Sequence, residues 1–149
     1  MGLDMYAYVA QKAKQQDEFY ESGHYDARVG EYVNPNVSKP REIAYWRKHP
    51  NLHGWMEHLW HKKRNAEGNP VVENATDFSG TFNGVELELT HEDLDELERA
   101  VTHGQLPATS GFFFGKDADD VYREDDLQFI KNARAELFFG LKVFYNSSW

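Results

Sequence analysis

The stretch YWRKHPNLHGWMEHLWHKKR, residues 45–64, holds three of the four tryptophans, four of the seven histidines and five of the sixteen Lys/Arg residues. From Pro50 onward it predicts a helix. Proline is tolerated at the first helical position, where its missing N–H would have no partner, and Leu52, Trp55, Met56, Leu59 and Trp60 recur at helical spacing. That stripe is expected to face the core. Lys62, Lys63 and Arg64 then close the helix, where cations suit the negative end of its dipole. Upstream, Ile43, Ala44, Tyr45 and Trp46 continue the same axis. The expectation is therefore a helix near 41–64 with a break or kink at Pro50, which removes one backbone donor and disfavours the α-region at His49.

The histidines of this segment have two readings. His49 with His53, or His58 with His61, places two imidazoles on one helix face, as a pair of zinc ligands requires. One pair does not complete a tetrahedral site, and the chain has no cysteine to add to it. The plainer reading makes them flank residues of an amphipathic helix, and no metal or other cofactor is expected.

Outward from this helix the chain alternates. Leu3, Met5, Ala7 and Val9 interleave with Asp4, Tyr6 and Tyr8, a period of two that predicts a half-buried strand over 3–9 with the tyrosines on its other face. Residues 12–37 are polar and punctuated by Gly23, Gly30 and Pro35, an excursion with a short strand around 28–33. Val85, Leu87 and Leu89 alternate with Glu86 and Glu88, giving a strand over 84–89. Thr90 and Asp93 form a capping-box pattern ahead of a helix over 91–103, with Leu94, Leu97 and Val101 inward and Gly104 as its stop. Asp126 is the expected start of a helix over 126–138, and Leu141, Val143 and Tyr145 mark a strand over 141–146. Trp149 is too large to leave wet, so the last residues should dock. The whole is expected to be one α+β domain over 1–149: a small, mostly antiparallel sheet including both terminal strands, packed against about three helices.

Two other stretches stand out. LPATSGFFFG, residues 106–115, suggests a buried strand or a tight loop, and the acids of 116–126 lack the spacing and central glycine of a calcium loop. The acids of the 91–103 helix are best read as a solvated face with charge near its positive end. Net charge is -9, but residues 39–64 carry seven bases against two acids, while 65–149 carry six against seventeen. A basic segment on an acidic body would steer an anion to one face, and the balance argues against general nucleic-acid binding. The opening ten residues do not read as a signal peptide, and no apolar run suits a bilayer, so a soluble cytoplasmic protein is expected.

The motifs MGLDMY (1–6), YWRKHPNLHGW (45–55), SGFFFG (110–115), the acidic 122–126 segment and YNSSW (145–149) resemble a family of small phage and prophage proteins that has no assigned activity. HPNLH departs from the family's usual spelling, and His53, not His49, is the histidine that aligns. Some members carry a kinase label, but this chain lacks the phosphate-binding glycine loop. The resemblance implies an infected bacterial host as the setting. It also implies that Asp4, Tyr6, Trp46, Arg47, Lys48, His53, Trp55, Phe113 and Trp149 converge on one site, in which Arg47, Lys48 and His53 hold a small anion, a nucleotide or an acidic peptide. The first function class is then a non-enzymatic binding module for a host component or small anionic ligand. The alternative is a metal- or His-dependent hydrolase of a phosphate-containing substrate, with His53 paired to Asp4, Asp125 or Asp126. A third is mimicry of nucleic acid by the acidic second half.

Overall fold

In a computed structural model, which describes residues 2–67, 82–109 and 119–149, the first strand, β1 (Asp4–Ala10), realises the period of two. Leu3, Met5, Ala7 and Val9 are all 4% exposed or less on one face, while Asp4, Tyr6 and Tyr8 stand on the other. After β1 come α1 (Gln15–Ser22) and a small hairpin of β2 (His24–Asp26) and β3 (Glu31–Val33), turned through Gly30 at φ 75°. Strand β4 (Arg41–Arg47), helix α2 (Pro50–Ala66), strand β5 (Leu87–Leu89), helices α3 (His91–Thr102) and α4 (Asp119–Phe138) and strand β6 (Lys142–Ser148) complete the described chain.

The main sheet is antiparallel throughout, in the order β4-β1-β6-β5, so both terminal strands lie at its centre, side by side. Its inner face packs on α2, α3 and α4 through Leu52, Met56 and Leu59, through Leu94, Leu97 and Val101, and through Phe129, Ile130 and Ala133. Each of these side chains except the small Ala133 contributes about 1.5–3 kcal/mol when fully buried. The outer face carries a smaller cluster, Tyr8, Ala10 and Phe144, and the 11–40 excursion lies against that side. Gln15 clamps both ends of the excursion: its Oε1 accepts from the Gln11 N–H at 2.9 Å, and its Nε2 donates to the Ser38 carbonyl at 2.7 Å.

The capping box forms, with the Thr90 hydroxyl accepting from the Asp93 N–H and the Asp93 carboxylate from the Thr90 N–H. Gly104 and Gly140, at φ 64° and 87°, end α3 and α4. In each case the following residue's N–H bonds back five residues, Gln105 to Ala100 and Leu141 to Glu136. Gly54 has a different role. A Cβ there would meet the Thr109 hydroxyl oxygen at 1.9 Å, so its bareness lets the 105–109 segment lie directly on α2.

Two expectations need correction. Residues 41–47 form an edge strand, not the first part of a helix. Ile43, Ala44 and Trp46 satisfy a helical period loosely, but β1 offers a ladder, and Lys48, in a left-handed conformation at φ 56°, turns the chain before Pro50 starts α2 as its first residue. Helix α4 spans 119–138, so it includes the seven residues ahead of Asp126. Tyr122 fastens that part by donating its hydroxyl to the Arg47 carbonyl at 2.6 Å. The expected strands over 84–89 and 28–33 shorten to β5 and β3, and α1 and β2 were not foreseen. The SGFFFG motif, with Phe113, lies outside the described residues.

Candidate functional site

Of the nine residues expected to converge, Phe113 lies outside the described residues, and the other eight fall on different parts of the sheet, its flanks and α2. Asp4, Tyr6 and Arg47 share the outer face. There the Asp4 carboxylate accepts from the Tyr45 hydroxyl at 2.6 Å and lies 3.7 Å from the Arg47 guanidinium. Lys48 is exposed in the turn before α2. Trp46, His53 and Trp149 belong to the inner side. Trp55 is half-buried on α2 and borders a shallow groove with His58, Lys62, Glu96 and Pro107.

His53 is fully buried, with its ring 5.4 Å from that of Phe82 and 6.1 Å from that of Trp149. Its Nδ1 lies 2.7 Å from the Tyr145 hydroxyl. Burial pushes the imidazole down to about 3 and the Tyr145 phenol well up, so both stay neutral at ordinary pH. A histidine in that state is a poor base near neutrality. Trp149 is docked as expected, its backbone N–H and carbonyl both bonded to the Asn83 side chain.

His49, the histidine set aside by the motif, meets a carboxylate at hydrogen-bond distance, closer than His61 comes to Glu57 at 3.7 Å. Its Nε2 is 2.8 Å from Asp126 Oδ2, while Trp46 Nε1 donates to Oδ1 at 2.9 Å. Asp126 is 1% exposed, and burial raises its carboxyl above the usual range, against the lowering effect of His49 and Trp46. The His49 ring stacks on Tyr122 at 4.8 Å, and its Nδ1 lies 3.9 Å from Asp119 Oδ1. Asn51 bonds the carboxylate of Asp119 and the N–H of Thr109, so it ties together both flanks of the undescribed 110–118 segment. Trp46, His49, Asp119, Tyr122 and Asp126 thus make a dense polar node at the end of β4. Asp125 lies outside it, on a shallow groove between β4 and α4. No group of three or more His, Asp or Glu among the described residues is placed to hold a metal ion.

The concave site is on the opposite face. A cavity of about 550 Å³ lies between the outer face and the 11–40 excursion, within the range of about 300–1,000 Å³ usual for small-ligand sites. Tyr6, Tyr8 and Tyr20 give it aromatic walls, and Gln16, Lys39, Glu42, Asn146 and Ser148 give it polar groups. Tyr8 forms the floor. Its ring stacks on Phe144 at 5.6 Å, and burial, together with the hydroxyl's donation to Glu86 Oε2 at 2.6 Å, holds the phenol well above its ordinary value. The other Glu86 oxygen accepts from the Lys14 N–H at 2.8 Å, fixing the excursion to the sheet. Tyr6 is half-exposed; burial and the nearby charges of Asp4 and Glu42 raise its phenol too.

Of the expected site residues that are described, only Tyr6 lines this cleft. The alternation of Tyr6 and Tyr8 was the one usable signal for it, because it put two aromatic rings on the face away from the core. Nothing in the spacing joins them to Tyr20, Lys39, Glu42 or Asn146. No helix among the described residues is long and apolar enough to cross a membrane. Compared with known proteins, the chain matches no family model, no curated protein and no solved structure.

Proposed function

We propose that this protein is a non-enzymatic binding module, of the phage type its motifs resemble, which takes a small ligand or a ligand-like part of a host component in the outer-face cleft. One observation carries the reading: a cavity of about 550 Å³ whose tyrosine walls and ring of amide, hydroxyl and charged groups stand on a rigid sheet. Aromatic faces supply contact area and the polar groups fix orientation, while the buried His49–Asp126 pair lies on the other side of the sheet. Arg47, Lys48 and His53, the groups expected to hold an anion, do not line it.

The test is a fragment library screened by NMR with labelled tyrosine. Binders should shift the ring signals of Tyr6, Tyr8 and Tyr20. A library whose binders all leave these three rings unmoved would overturn the reading.

A second reading, a hydrolase, draws on the polar node. A carboxylate that orients an imidazole and is itself held by Trp46 is the arrangement a general base requires, now at His49 rather than His53. Against it, His49 is fully buried, and its ring has no opening to a substrate among the described residues. Turnover of a phosphate-ester panel that disappears in His49→Gln would favour this reading over the first.

A further inference from the structure

Resting on the binding reading above, we propose that the cleft takes a small zwitterion, with an organic ammonium group against the faces of Tyr6 and Tyr20 beside the Glu42 carboxylate and an anionic group on Lys39. The starting point is which charges the fold has already used. Glu86 accepts from the Tyr8 hydroxyl and the Lys14 N–H, and Asp4 accepts from the Tyr45 hydroxyl beside Arg47. Glu42 and Lys39 both line the cleft, yet among the described residues neither makes a side-chain hydrogen bond or an ion pair. One carboxylate and one ammonium in the same cleft are therefore left over.

The aromatic groups define the cationic end. A ring face attracts a cation through its quadrupole, most strongly when water is partly excluded. Tyr6 has such a face, lies near the charges of Asp4 and Glu42, and its hydroxyl has no hydrogen-bond partner among the described residues. Tyr20 contributes a second ring from α1, 42% exposed and braced edge-on by Phe19 and Tyr32. A net charge of -9 draws cations toward the molecule as a whole. A simple anion would gain Lys39 but meet the field of Asp4 and Glu42. A simple cation would gain the rings and Glu42 but sit near Lys39. Only a ligand carrying both charges uses both groups.

Titration calorimetry with phosphocholine, choline and inorganic phosphate tests this directly. Phosphocholine should bind about tenfold more tightly than choline, and phosphate should not saturate. Glu42→Gln should weaken phosphocholine and choline alike by about three- to tenfold. Lys39→Gln should lower phosphocholine to the affinity of choline and leave choline unweakened. Tyr20→Leu, which keeps an apolar side chain at a position 42% exposed but removes the ring face, should weaken both. Phosphatidylcholine vesicles that co-sediment the wild type but not Glu42→Gln would assign the zwitterion to a lipid headgroup; binding of soluble phosphocholine alone would assign it to a free molecule. Phosphate binding as tightly as phosphocholine, or indifference to Glu42→Gln, would overturn the proposal. If neutral fragments shift the cleft tyrosines while all three probes fail, the cleft remains a ligand site and the zwitterion is wrong. If no compound shifts them, both readings fall.

Discussion

The two faces of one sheet have opposite economies. On the inner face Leu3, Met5, Ala7 and Val9 are closed off beneath three helices, and Trp46 and His49 are bonded to the buried Asp126 carboxylate. On the outer face the intervening residues of the same strand meet an excursion that covers part of the sheet and leaves a cavity. The difference lies in what each cover is made of. Helices with apolar stripes close-pack against Met5 and Ala7, whereas a segment clamped mainly by Gln15 and Glu86 holds its place through a few hydrogen bonds and leaves space between. Close packing is thus concentrated on one side of the strand and open space on the other.

The largest expected break is at the inner node. Asp126→Ala removes the shared acceptor of Trp46 Nε1 and His49 Nε2 at a position 1% exposed, leaving buried donors with no partner. We expect a loss of about 3–5 kcal/mol in urea unfolding. Asp126→Asn keeps an acceptor for one donor and should cost markedly less. A loss below about 1 kcal/mol for the alanine variant would show that the node relaxes freely and does not fasten β4 to α4.

How much of this contrast was legible in the chain depends on distance along it. The strand pattern of 3–9, the capping box at Thr90 and the stops at Gly104 and Gly140 are local signals, and each appears where its residues put it. Residues 41–47 misled because Ile43, Ala44 and Trp46 fit either period, and pairing with β1, decided more than thirty residues away, selected the strand. The node could not be read at all. Asp126 lies 77 residues from His49, and no spacing rule links a residue before a proline to an acid on a later helix. The cleft is worse placed still, since it needs β1, α1, the start of β4 and the end of β6 at once.

The next break compares neighbours on β1. Met5→Ala should cost about 2–5 kcal/mol, because Met5 is fully buried in the main core and leaves a void. Tyr6→Ala, one position along, should cost less, about 1 kcal/mol, since its half-exposed ring meets the Tyr45 ring at 5.3 Å on one side and a cavity on the other. The same two changes should rank in the opposite order for the shift a cleft ligand produces. Equal stability losses would show that the outer face is packed as tightly as the inner one, and that the cavity collapses around its ligand.

The smallest effect separates the faces by pH. His53 is buried neutral with its imidazole pushed down to about 3, whereas in the unfolded chain it takes up a proton near its ordinary value of about 6.5. Below that value the unfolded state binds more protons, so this contribution is complete above pH 6.5 and is lost as pH falls toward 3. The slope is about 1.4 kcal/mol per unit at full effect, or about 1 kcal/mol between pH 6 and 5. Asp126 acts with the other sign. Its raised carboxyl stays protonated longer in the folded state, so its contribution falls as pH rises from 3.8 through the folded value. Urea midpoints of the wild type and His53→Gln from pH 7 to 5 separate the two: the variant should start less stable and lose less on acidification. Parallel curves would mean that the inner face admits a proton, and with it water, and the contrast with the open outer face would narrow to one of packing alone.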